Sequence, residues 1–139
     1  RNSAWAAKLV TSGGWTNLAQ NASVSSNTNH SASVWLKGSG TLRLITHVLN
    51  SNGSWGSELA NTACNANGSW QQCSVSFNSG GNAQVVYRLT DSNGGSATMY
   101  LDDAFIGQSG GGNKLNNAGF ESGSANWFVQ SPFSIVNTP

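Results

Sequence analysis

Apolar and polar positions alternate with a period of two through most of this chain, the spacing of strands that bury one face. Between Ser31 and Lys37, Ala32, Val34 and Leu36 fall on one side, and Ser33, Trp35 and Lys37 on the other. From Thr41 to Leu49, Leu42, Leu44 and Val48 alternate with Arg43, Ile45 and His47. From Ala83 to Thr90, Val85, Tyr87 and Leu89 alternate with Gln84, Val86 and Arg88. Trp5 shares its parity with Ala7 and Leu9, and Trp70 opens a run that carries Cys73, Val75 and Phe77. The pattern predicts an all-β protein of short strands. Gly107 to Asn113, with small polar residues and no periodic apolar face, predicts a flexible connector.

Composition agrees with one β-rich domain. The chain has 139 residues, 17 of them glycine, with 37% hydrophobic and only 8% charged positions, enough length to bury a core without covalent staples. A formal net charge of +1 with scattered Lys and Arg argues against a nucleic-acid partner. No apolar run approaches the ~20 residues that span a bilayer, and no leader with a basic start and apolar middle precedes Arg1. A secreted, extracellular chain without membrane contact is expected. Cys64 and Cys73 flank the turn signal Asn67-Gly68, so paired strands would bring them together. A disulfide there would stabilise by up to about 3 kcal/mol, the alternative being two inert thiols in a reducing compartment. Asn21, Asn29, Asn52 and Asn67 stand in Asn-x-Ser sequons, frequent by chance in such a composition.

Two motifs carry a resemblance. Leu115-Asn116-Asn117-Ala118-Gly119-Phe120-Glu121-Ser122-Gly123 with Trp127, and Tyr100-Leu101-Asp102-Asp103-Ala104-Phe105-Ile106, resemble the opening and closing segments of carbohydrate-binding modules of families 4, 9, 16 and 22. Ala32-Ser33-Val34-Trp35-Leu36-Lys37 is similar to their Ser-x-Trp-x-Lys strand. The opening motif stands at the end of this chain, so the resemblance implies a jelly-roll β-sandwich of two antiparallel sheets in circularly permuted order. Residues 1–107 form the main body, 108–113 a Gly-rich linker, and 114–139 the segment equivalent to the family's first strands. The linker could reach about 20 Å at roughly 3.4 Å per residue, more than the ~10 Å between packed sheets. Closure within one chain is therefore feasible, giving a monomer, with a strand-exchanged dimer as the alternative.

In that family the outward face of one sheet forms a groove, and the non-core side chains of the alternating strands would line it. The resemblance thus assigns carbohydrate contact to Trp35, Lys37, Arg43, His47, Arg88 and Gln84, with Trp55 on a neighbouring loop as a second platform. Indoles offer flat surfaces to the C–H face of a sugar, and Arg, His and Gln meet its hydroxyls. The basic members keep acidic polysaccharides such as alginate or pectin in view beside neutral β-linked glycans. Trp5 and Trp127 are expected in the core. The family also implies a structural calcium, held here by Glu121 with Asp103 or Asp102, and with Asn117 nearby.

Catalysis finds little support. Only 5 residues are Asp or Glu, and Asp102 and Asp103, adjacent on a strand, are expected to diverge to opposite faces rather than share a glycosidic bond. His30 and His47 lack metal-ligand spacing, and no nucleophile elbow or phosphate loop is present. The expected function is a non-catalytic polysaccharide-binding module that targets an attached carbohydrate-active domain. The rivals are a small lyase using Tyr87 or His47 with Arg43, and a structural or adhesion domain.

Overall fold

A computed structural model describes residues 4–91 and 95–137. The described residues form strands β1 (Trp5–Thr11), β2 (Asn17–Ser23), β3 (Asn29–Leu49), β4 (Trp55–Asn67), β5 (Gln71–Asn78), β6 (Gln84–Thr90), β7 (Ala97–Gly107), β8 (Phe128–Val129) and β9 (Phe133–Asn137). All pairings are antiparallel. The all-β sandwich is as the sequence predicts.

One strand builds both layers. The first part of β3 pairs with β5 and β7, and the later part with β4 and β6. Layer I therefore reads β9-β1-β7-β3-β5, and layer II reads β8-β2-β6-β3-β4. The strand crosses over at Gly38–Gly40, where both glycines take positive φ, 131° and 96°. A Cβ on Gly40 would stand 2.5 Å from the Ala97 Cα, and one on Gly38 would collide with the Thr98 carbonyl. Only glycine fits this corner against β7.

Even-numbered positions of β3 stay on the core side on both sides of the corner: Ala32, Val34, Leu36, Leu42, Leu44 and Thr46 are buried. The five apolar ones meet Leu9, Met99, Leu101 and Phe133 of layer I and Leu18, Val85, Tyr87 and Leu89 of layer II in one cluster. The Tyr87 hydroxyl crosses between layers to donate to the Ser33 carbonyl at 2.8 Å. Cys64 lies opposite Leu42 and Cys73 opposite Val34. Their disulfide, with Cα atoms 5.7 Å apart, joins β4 to β5 across the same corner.

The C-terminal segment docks on its own chain. Phe120 is fully buried and Trp127 nearly so, their rings 5.0 Å apart, with Trp127 edge-on to Tyr87 at 5.9 Å. Gln20 and Asn116 exchange two hydrogen bonds. β9 then lies beside β1, with Asn137 opposite Trp5. Residues 107–113, expected as a flexible connector, form a turn that doubles back on β7. Asn113 accepts from the amides of Ile106 and Leu115 and donates to the Ala104 carbonyl, and the Lys114 amide donates to Ile106. The physical reason is register. β1 pairs with β7 only between Ala97 and Leu101, so the returning chain covers the end of β7 beyond it.

Candidate functional site

The outer face of layer II presents a cleft lined by aromatic and amide side chains. Ala19 and Asn21 come from β2, Trp55 from the start of β4 and Phe128 from β8, with Asn126 beside them, around an opening of about 380 Å³. Phe128 sits directly opposite Ala19 and is 53% exposed. The small Ala19 side chain leaves the floor low, so two aromatic rings bound the opening.

A chain of hydrogen bonds fixes the Trp55 side. His47 Nδ1 bonds the Gly56 carbonyl at 3.0 Å, and Arg88 meets His47 Nε2 at 3.2 Å. Because a guanidinium only donates, Nε2 must accept and Nδ1 must carry the proton, so His47 is neutral here. Burial, followed by the Arg88 charge, accordingly lowers its pKa, against the opposing effects of the Gly56 bond and Glu58. Arg88 Nε donates to Asn17 Oδ1 at 2.7 Å, and Asn17 Nδ2 to Gln130 Oε1 at 3.0 Å. Burial also lowers the Arg88 pKa, partly offset by Glu58. The His47 ring stacks on Trp55 at 5.8 Å, and the Arg88 guanidinium lies 5.3 Å from the indole centre. The Trp55 indole is thus braced by a stacked imidazole and a guanidinium that are themselves held by hydrogen bonds.

The sequence-predicted residues divide between two surfaces. Trp55, His47 and Arg88 come together in layer II. Arg43, bonded to Asn61, and Gln84, bonded to Ser23, lie on strands of the same layer. Trp35 and Lys37 belong to the layer I part of β3, opposite Asp102 and Tyr100. The single groove expected from shared parity is therefore corrected. The Gly38–Gly40 corner carries odd positions from one outer surface to the opposite one. Phe128 was not among the expected residues; its neighbour Trp127, expected in the core, is nearly buried there.

The expected divergence of Asp102 and Asp103 is also corrected. Asp103 has a φ of 49° at a bulge, which breaks the alternation. A Cβ on Gly119 would stand 3.7 Å from Asp103 Oδ1, 3.8 Å from Asp102 Oδ1 and 3.9 Å from the Glu121 Cγ. Glu121 accepts from the amides of Ala4 and Trp5. Asn117 uses its side chain on Ser122, Gly123 and Ala125, so it staples the loop. Among the described residues no three His, Cys, Asp or Glu side chains are placed to hold one metal ion.

Neither a protein-family model nor a curated protein sequence matches the chain. Solved structures do. The carbohydrate-binding module of PbXyn10C in its apo form superposes with a TM-score of 0.70 at 15% identity, covering 99% of this chain and 91% of that one. The fold is that of carbohydrate-binding modules. A family 4 module matches with a TM-score of 0.61 at 14% identity over 76% of this chain and 71% of its own. TmCBM61, solved with β-1,4-galactotriose, matches with 0.54 at 13% identity over 75% and 70%. At these identities the carbohydrate-binding sandwich is shared as architecture, and side chains must supply the function.

Proposed function

We propose that this chain is a non-catalytic polysaccharide-binding module whose glycan lies across layer II, between Trp55 and Phe128. The observation that carries the reading is that two aromatic side chains, Trp55 and Phe128, line one opening, and that Trp55 is braced by His47 and Arg88. A pyranose presents C–H groups on its faces and hydroxyls at its edge, so flat rings with amides between them match it. Asn21 and Asn126 supply those amides. By analogy with base stacking, each platform contributes about 1–3 kcal/mol, which places affinity in the micromolar to millimolar range.

Catalysis is not part of this reading. Asp102 is fully buried, whereas a glycosidase pair must flank the scissile bond in an open cleft. Tyr87 is locked in the core, and burial raises its hydroxyl pKa well above the ordinary value, so it cannot act as a lyase base. The module instead serves by tethering an attached catalytic domain to a secreted enzyme's polymer, which raises local substrate concentration. In this reading the module is a monomer closed by its own β8 and β9, with a strand-exchanged dimer making the same contacts as the alternative.

A structural calcium is part of the same proposal. The donors are hard oxygens, as calcium requires, and a carboxylate oxygen of each of Asp102 and Asp103 and the Cγ of Glu121 lie within 4 Å of the point where a Cβ on Gly119 would stand. With no three-residue cluster there among the described residues, backbone carbonyls and water would complete the shell. Melting that is unchanged by calcium or by chelator would remove the ion from the proposal.

The deciding experiment is affinity electrophoresis against xylan, mixed-linkage glucan, mannan, laminarin and alginate. Retardation by at least one polymer, without new reducing ends or absorbance at the wavelength of unsaturated products, is the expected result. Migration unaffected by every polymer, with concentration-dependent dimers, would instead favour an adhesion domain.

A further inference from the structure

On the opposite side of the sandwich, the outer face of layer I forms a second opening of about 520 Å³. Its floor is a cross-strand ladder. Ser33 stands between Ser74 on β5 and Phe105 on β7, and Trp35 stands opposite Gln72 in the next outward row. The Gln72 amide reaches the Ser33 hydroxyl at 3.5 Å. The turn that follows β7 forms a wall through Ser109, Gly110 and Asn113. Asn113 holds that wall in place by its bonds to the backbone of Ala104, Ile106 and Leu115.

We propose that this opening is a second carbohydrate site, which takes a glycan end or a single sugar ring rather than the interior of a chain. The proposal rests on the sugar-binding reading but uses a surface separate from the Trp55 cleft. Two aromatic side chains, Trp35 and Phe105, lie beside hydroxyls and an amide, the pairing that suits the faces and edge of a pyranose. Ser109, Gly110 and Asn113 of the turn after β7 line the opening beside the strand ladder; on this proposal they close one side, so that a terminus fits better than a threaded chain. Among the described residues that line it there is no Lys or Arg, and Asp103 is one of them. The site therefore selects neutral sugars, whereas the first cleft carries Arg88 next to its platform. With one site on each face, a single module joins two glycan strands or two parts of one strand, and gains avidity on a polymer.

The test is a titration of isotope-labelled protein followed by amide and indole NMR signals, using methyl β-D-xyloside, xylotriose and cellotriose as probes. Signals of Ser33, Trp35, Gln72 and Phe105 should move as one group, with a binding curve distinct from that of Trp55 and Phe128. Trp35→Ala should weaken that group's response roughly tenfold or more and leave the Trp55 group unchanged. Gln72→Ala, which keeps the indole, should weaken it less and serves if Trp35→Ala does not fold. Movement confined to the Trp55 group overturns the second site alone. Movement confined to the Trp35 group overturns the layer II cleft instead, and stillness at both faces with all three sugars overturns both readings.

Discussion

Phe128→Ala separates binding from folding more cleanly than any other substitution in the cleft. The ring lies on a two-residue strand and is 53% exposed, so less than half of its roughly 200 Å² is covered. At about 25 cal/mol per Å², its truncation costs at most about 2 kcal/mol of stability. Trp127→Ala next to it would cost about 3–5 kcal/mol, because that ring is packed against Phe120 and Tyr87. If Phe128 forms one wall of a sugar cleft, its loss removes about 1–3 kcal/mol of stacking, a roughly 5- to 150-fold weaker complex. The assay is affinity electrophoresis and calorimetry with the best glycan, alongside thermal melts. Trp15→Ala is the control: the ring is 72% exposed, lies outside the cleft lining, and its removal should leave affinity unchanged. A folded Phe128→Ala protein that is retarded like the parent would refute the two-walled cleft.

Replacing Cys64 and Cys73 by serine opens a closed loop of about ten residues, which the chain-entropy relation values at about 2.7 kcal/mol; the urea midpoint should fall accordingly, and an unmoved midpoint contradicts it. Gly40→Ala should cost more than about 2 kcal/mol, since it adds a collision with β7 to a positive φ, while Gly68→Ala, with open space around it, should cost only about 1 kcal/mol. Equal midpoints for the two variants would show that the corner is not constrained. His47 has a lowered pKa in the folded state, so the unfolded chain binds its proton at the higher pH. Stability is then present above the ordinary imidazole value of about 6.5 and is lost as pH falls below it. Urea midpoints at neutral and mildly acidic pH should show this loss in the parent and a smaller one in His47→Gln; identical losses would remove His47 as the cause.

Parity was legible in the sequence, and with it the core. Val34, Leu36, Leu42, Leu44, Val85 and Leu89 are buried where alternation puts them, and the Cys64–Cys73 bond follows from the turn between them. What alternation cannot reveal is that two runs belong to one bent strand. Trp35 and Arg43 share odd parity yet face opposite sides, because Gly38 and Gly40 fold β3 over β7. The bulge at Asp103 is hidden for a similar reason: a positive φ at a non-glycine residue leaves no compositional trace. Phe128 escaped because a two-residue strand has no period to read. Asn113 looked like linker because its role is to bond backbone, and small polar residues in a Gly-rich stretch do not reveal their partners.

The adjacency of Trp5 and Asn137 at the rim of layer I has a consequence for architecture. Polypeptide arriving at the first strand and leaving from the last does so side by side, as the two legs of an inserted loop would. A host protein could therefore accommodate this body in one of its own surface turns without stretching, or carry it from either leg with the same orientation toward the host.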